Sequence, residues 1–244
     1  MNNWNYNETN GFQTAVQAEN EATLQRYVAS VMRRVYGKMT LGLLVTAIVA
    51  FLIVSSETAL ALIFSSSATI WILFAVELGL VIYLSARIEK LSTVTASALF
   101  YAYSALNGVV LAPIFLAYTG ISIAVTFAIT AGTFGAMTIF GYVTRQDLSK
   151  IGSYLFMALI GLILCTIVNL FMRSSMMSLL ISCAGVLIFV GLTAYDSQKI
   201  KEMCNSIEYV DESAQKLALL GALTLYLDFI NLFIYLLRIF GKRE

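Results

Sequence analysis

Histidine is absent from the 244 residues. That removes the one side chain whose ordinary titration lies between about pH 5 and 8, so any response to pH near neutrality must come from carboxylates in an unusual setting. It also removes every Ser/His and Cys/His nucleophile pair. Charge is scarce: Asp, Glu, Lys and Arg make up 12% of the chain, against roughly 25% in soluble domains. The net charge is +1 and no basic tract occurs, which excludes a nucleic-acid partner. Three cysteines, Cys165, Cys183 and Cys204, show no CxxC spacing. A metal or redox motif is therefore not supported, and the two thiols that lie in apolar runs read as small hydrophobes. Proline occurs once, as Pro113, so one helix at most carries a built-in break, read as a packing kink. No secretory signal opens the chain. Met1–Arg34 is polar, rich in Asn and Gln, and amphipathic near Ala22–Arg34, so the first apolar run is expected to act as an uncleaved anchor.

What is abundant is apolar sequence, at 59% of residues. It comes in runs near 20 residues long, the length at which a helix rising 1.5 Å per residue crosses a hydrocarbon layer of about 30 Å. Seven such spans are expected: Val35–Val54, Ile70–Ala86, Val94–Leu116, Ile121–Thr144, Ile151–Met172, Met177–Tyr195 and Leu217–Phe240. None alternates with the two-residue period of a barrel strand. The expected fold is an all-α integral membrane protein: a polar N-terminal tail over residues 1–34, then one seven-helix transmembrane domain over residues 35–244. The stretch Ser197–Lys216 reads as a polar loop. Gly132, Gly135, Ala136 and Gly141 give the fourth span a small face for close helix approach.

Lys and Arg cluster in the tail (Arg26, Arg33, Arg34, Lys38) and in alternate turns (Arg87 and Lys90; Arg145 and Lys150; Lys199, Lys201 and Lys216). The positive-inside rule then places the N-terminus in the cytoplasm. Arg238, Lys242 and Arg243 conflict with that rule if the seventh segment spans, and agree with it if the segment re-enters. Length favours a full span.

Five ionisable residues fall within or at the edges of the apolar runs: Glu77, Arg87, Asp196, Asp228 and Arg238. Asp228 lies near the middle of the seventh span, where an ionised side chain costs several kcal/mol unless it faces the bundle interior or water. Asn231 follows on nearly the same helical face. Such a polar stripe suits a solvated path for a proton or cation; a lone buried Asp acting as helix glue is the plainer alternative. Glu77 and Arg87 are ten residues apart, roughly 15 Å along one face, and could mark two levels of one path. Oxygen-only side chains suit a hard cation such as Ca²⁺.

Five stretches carry a family resemblance that covers nearly all the chain after the tail. They are Val35-Tyr-Gly-Lys-Met-Thr40, Tyr103-Ser-Ala-Leu-Asn-Gly108, Phe140-Gly-Tyr-Val-Thr-Arg-Gln-Asp-Leu-Ser149, Phe189-Val-Gly-Leu-Thr-Ala-Tyr-Asp-Ser-Gln-Lys199 and Gly221-Ala-Leu-Thr-Leu-Tyr-Leu-Asp-Phe-Ile-Asn231. The chain resembles the Bax inhibitor-1 family, also called the transmembrane BAX inhibitor motif family, in its bacterial form. The resemblance implies a seven-helix bundle with the C-terminal helix central and six helices around it. It implies a pH-sensitive calcium leak channel, resident in the bacterial plasma (inner) membrane, with Asp196 and Asp228 as sensor and gate. Arg87 would be their salt-bridge partner and Glu77 would lie along the pore, where Asn231, by its helical face beside Asp228, is a further lining candidate. Ca²⁺ would be the transported ion, with transient contacts at Asp196, Asp228 and Glu77 and no resident metal or cofactor.

Two carboxylates held close in a low dielectric cannot both ionise cheaply and come to share a proton. The mechanism expected from sequence is a latch in which Arg87 binds the ionised pair; protonation weakens it and opens a cytoplasmic gate. The rival reading is a non-conducting interaction protein that modulates a membrane-bound quality-control protease or a stress or cell-death response, with the polar tail as contact element. An enzyme is not expected. The Gly-x-Gly-Asp signature of intramembrane aspartyl proteases is missing, since the contexts are Ala194-Tyr195-Asp196 and Tyr226-Leu227-Asp228.

Overall fold

A computed structural model describes the backbone of residues 4–206 and 211–243 and the side chains of residues 19, 21–205 and 212–243. The described residues form eight helices and no strand: α1 (Trp4–Val54), α2 (Glu57–Phe64), α3 (Ser67–Arg87), α4 (Thr93–Ala117), α5 (Gly120–Val143), α6 (Ser149–Met172), α7 (Ser175–Ser206) and α8 (Asp211–Phe240). All except α2 are long and apolar enough to cross a membrane. The chain is a multi-pass helical membrane protein.

Local sequence sets the breaks between helices. Ser56, Ser66, Ser92 and Thr119 each place a side-chain oxygen on a backbone N–H of the following first turn, at Ala59, Ala68, Thr95 and Ser122. These caps satisfy donors that have no partner inside the helix. α6 ends where Arg173 turns left-handed, with φ 50°. Outside, the bundle is apolar: Phe51, Leu62, Trp71 and Phe171 are all well exposed. An apolar outer surface of this extent is the surface lipid covers.

α8 is the axis. In its apolar window 72% of residues are buried, against 6% in α3 and in α6. Leu219, Ala222, Leu225, Tyr226 and Leu232 are fully enclosed although they point in different directions around the helix, which is how a helix apolar on all sides is accommodated. α1, α4, α5 and α7 pack directly on it, whereas α3 leans mainly on α4 and α6 on α7. The central C-terminal helix is as expected, with four helices in the direct ring and two outside it.

α8 spans the bundle fully. Near its start, Lys216 Nζ donates to the Glu89 carbonyl in the α3–α4 turn at 3.0 Å. Beyond its end, the Thr119 N–H bonds the Lys242 carbonyl at 3.1 Å and the Lys242 N–H bonds Ser122 Oγ at 3.0 Å. Those two turns cap opposite ends of α4, so the re-entrant alternative is excluded.

Three expectations are altered. The short helix α2, absent from the seven-span reading, fills the connection between α1 and α3. Most of the stretch read as a polar loop, Ser197–Lys216, is helical, because α7 continues to Ser206 and α8 begins at Asp211; residues 207–210 lie outside the described residues. The boundary drawn after residue 34 falls inside α1, where Val28, Val31 and Met32 are already buried in the core. The side chains of the tail over residues 1–18 lie outside the described residues.

Candidate functional site

The centre of the bundle holds the two aspartates. Asp196 comes from α7 and Asp228 from α8, and their carboxyls meet within hydrogen-bonding reach. Asp228 is 5% exposed and Asp196 is half-buried. A carboxylate is only an acceptor, so a hydrogen bond between two of them requires a proton held between them. Asp228 Oδ2 is buried and has no hydrogen-bond partner among the described residues. Buried polar atoms are nearly always satisfied, and this one is an acceptor open to a proton or a cation.

The position of Asp196 depends on close helix approach. A Cβ at Gly141 of α5 would run into the backbone of Ala194, and one at Gly152 of α6 would run into the Tyr195 ring. Glycine at these points lets α5 and α6 press against α7 just before the aspartate. On α8, Tyr235 lies against Gly185 of α7 and stacks on Phe189 with ring centroids 5.9 Å apart. Neighbouring hydroxyls do not serve the acids: Thr193 Oγ1 donates to the Phe189 carbonyl and Ser197 Oγ to the Thr193 carbonyl, each at 2.7 Å. Gln198 clamps the same end of α7 to the α5–α6 turn. Its Oε1 accepts from the Leu148 N–H at 2.9 Å, and its Nε2 donates to the Gln146 carbonyl at 2.8 Å.

The other predicted residues do not join the pair. Arg87 ends α3 with an exposed side chain, and no ion pair ties it to either aspartate among the described residues. α3 packs chiefly on α4, so the last turn of α3 carries Arg87 to the bundle margin, where a long cationic side chain reaches the headgroup layer. Lys199, one turn along α7 from Asp196, lies over the Tyr195 ring at 5.6 Å. Asn231 donates Nδ2 to the Leu227 carbonyl at 2.8 Å, a bond within its own helix. Asp196 ends the apolar run but not the helix, since α7 continues past it.

Glu77 belongs to a second polar cluster that composition gave little sign of. It accepts a short hydrogen bond from Asn107 Nδ2 of α4. Tyr103, one turn before Asn107 on α4, meets the Tyr226 ring edge to face at 5.9 Å. The Tyr226 hydroxyl lies 2.7 Å from Thr46 Oγ1 of α1, which is also 2.8 Å from the Ser104 carbonyl. Thr46 has one proton, so when it donates to a carbonyl, Tyr226 is the donor to Thr46. Two residues of helix rotate by about 200°, so Tyr226 faces α1 and α4 while Asp228 faces α7. The one visible signal was the Tyr103–Gly108 stretch, which supplies Tyr103, Ser104 and Asn107. Among the fourth-span glycines, Gly141 alone makes a close approach; Gly132 and Gly135 have nothing within 4 Å of a built Cβ.

Comparison with known proteins agrees with this architecture. The family described as inhibitor of apoptosis-promoting Bax1 matches residues 28–244. The inner membrane protein YbhL of Escherichia coli K12 is 51% identical over 224 residues, covering 91% of this chain and 94% of its own length. An uncharacterized protein of Borreliella burgdorferi is 48% identical over 87% of this chain and 92% of its own. The uncharacterized protein RP147 of Rickettsia prowazekii is 44% identical over 91% of each.

Proposed function

The chain belongs to the Bax inhibitor-1 family, and from that premise we infer that it is a pH-sensitive calcium leak channel of the bacterial inner membrane, gated by Asp196 and Asp228. The observation that carries the reading is the meeting of two carboxyls from neighbouring helices on the buried axis of the bundle. The name of the Escherichia coli relative supports the inner membrane as the location.

The direction of gating follows from the closeness of the two acids. A proton shared by the two acids holds α7 against α8. Its loss leaves two anions facing each other in a low dielectric, where like charges repel strongly. Separation of the pair admits water and exposes two carboxylates to a divalent cation. Two carboxylates fall short of the six to eight oxygens that Ca²⁺ takes; water supplies the remainder, and the ion is held weakly enough to leave. In this reading acid closes the path and alkali opens it.

The test is Ca²⁺ flux into proteoliposomes across pH. The wild-type chain is expected to conduct more as pH rises. Asp196→Asn and Asp228→Asn, which cannot share an acid proton, are expected to flatten the profile. Wild-type pH dependence in both variants rejects the aspartates as the sensor, and no flux above empty liposomes at any pH rejects the channel.

A further inference from the structure

On the face of the bundle that carries the C-terminus, three of the four described basic residues converge. A cavity of about 420 Å³ is lined by Arg173, Arg238 and Arg243, with Asn169, Ser175 and Ser178 among its polar walls. The arginines come from three separate places: the α6–α7 turn, the last turn of α8 and the C-terminal segment. Each is anchored without an acid. Arg238 lies over the Tyr235 ring at 5.6 Å and Arg243 over the Tyr118 ring at 5.8 Å. Arg173 is held through its backbone, its N–H bonding the Asn169 carbonyl at 2.8 Å while Asn169 Oδ1 accepts from the Ser174 N–H at 3.1 Å. Among the described residues no carboxylate lines the cavity, and none of the three arginines makes an ion pair.

Three permanent cations around one hollow repel one another, and no described residue in its walls carries an opposite charge. A guanidinium presents planar, paired donors that match phosphate oxygens. Apolar side chains adjoin the polar ones: Leu179, 48% exposed, lines the cavity, and Phe171, two residues before Arg173, is 81% exposed. The cavity therefore sits at the ends of the helices with apolar outer surface beside it, at the level where headgroups meet acyl chains. It is larger than a phosphate needs and within the size range of small-ligand sites.

We propose that this cavity binds a phosphate-bearing anion at the membrane surface through Arg173, Arg238 and Arg243, the position favouring the headgroup of an anionic phospholipid. The site lies away from the aspartate pair and does not depend on ion conduction.

The experiment uses the full chain in detergent, with thermal melting and native mass spectrometry as readouts. Phosphatidylglycerol, phosphatidylcholine and inorganic phosphate are titrated separately. Phosphatidylglycerol is expected to raise the melting temperature and to remain bound at one molecule per chain, with phosphatidylcholine ineffective. Arg238→Gln and Arg243→Gln, both exposed, are each expected to weaken binding about tenfold, as loss of a charge-assisted hydrogen-bond pair does. The triple variant R173Q/R238Q/R243Q is expected to abolish it. Inorganic phosphate reproducing this arginine dependence, with phosphatidylglycerol no better than phosphatidylcholine, assigns the site to free phosphate and retains it. The proposal is overturned if the single variants bind phosphatidylglycerol and phosphate as the wild type does. It is also overturned if R33Q/R145Q/K150Q, the same charge change on the opposite face, weakens binding equally.

Discussion

Tyr226 of α8 and Thr46 of α1 hold their hydroxyls 2.7 Å apart inside the bundle, both buried. The same Tyr226 ring meets Phe100 edge to face at 5.8 Å. The central helix is therefore tied to α1 and α4 on one side by hydroxyls and rings, and to α7 on the other by two acids. These two attachments carry different chemistry and are expected to separate under mutation.

Tyr226→Phe keeps the ring and removes the donor to Thr46. The expected cost is about 1 kcal/mol, the net worth of one buried neutral hydrogen bond. Thermal unfolding in detergent measures it, and the pH profile of flux is expected to keep its wild-type shape.

Gly141→Ala places a methyl group against the Ala194 backbone, which cannot swing away as a flexible side chain would. A destabilisation of about 1–3 kcal/mol is expected from overpacking. Gly132→Ala, with open space at the same atom, is expected to stay within about 0.5 kcal/mol of wild type. Equal melting temperatures for the two variants would show that α5 does not approach α7 as closely as described.

Glu77 and Asp228 respond differently if the two clusters act separately. Glu77→Gln retains an acceptor for Asn107 and is expected to alter conductance while leaving the slope of flux against pH intact. Asp228→Asn is expected to remove the slope. The same flattening in both variants would merge the two clusters into one titrating unit.

Arg87→Ala tests the latch expected from sequence. With its side chain exposed at the end of α3, the substitution is expected to shift stability by less than about 0.5 kcal/mol and to leave the pH response of flux unchanged. A flattened response would return Arg87 to the gate.

Much of this was legible in the chain. The spans were readable because membrane thickness fixes the length of an apolar helix, and α3, α4, α5 and α6 begin and end within three residues of the expected bounds. Asp228 stood out because a charge amid apolar residues needs a reason. The pairing of Asp228 with Asp196 was legible only through the resemblance, since the two lie in different helices. The setting of Arg87 was not legible either: its type and position marked it as a partner for an acid, while its exposed place at the end of α3, packed on α4, is a matter of tertiary packing. Likewise Gly132 and Gly141 are the same residue in the same helix, and only one faces a neighbour.

Residue order alone determined that this chain crosses a membrane repeatedly as helices, because within lipid every backbone polar group must be satisfied inside its own segment. Which helix became the axis, which glycine met a backbone and which acid found a partner were decided by tertiary packing. In lipid, a leucine facing the acyl chains and a leucine facing another helix are equally comfortable, so apolar sequence marks the span without marking the inward side.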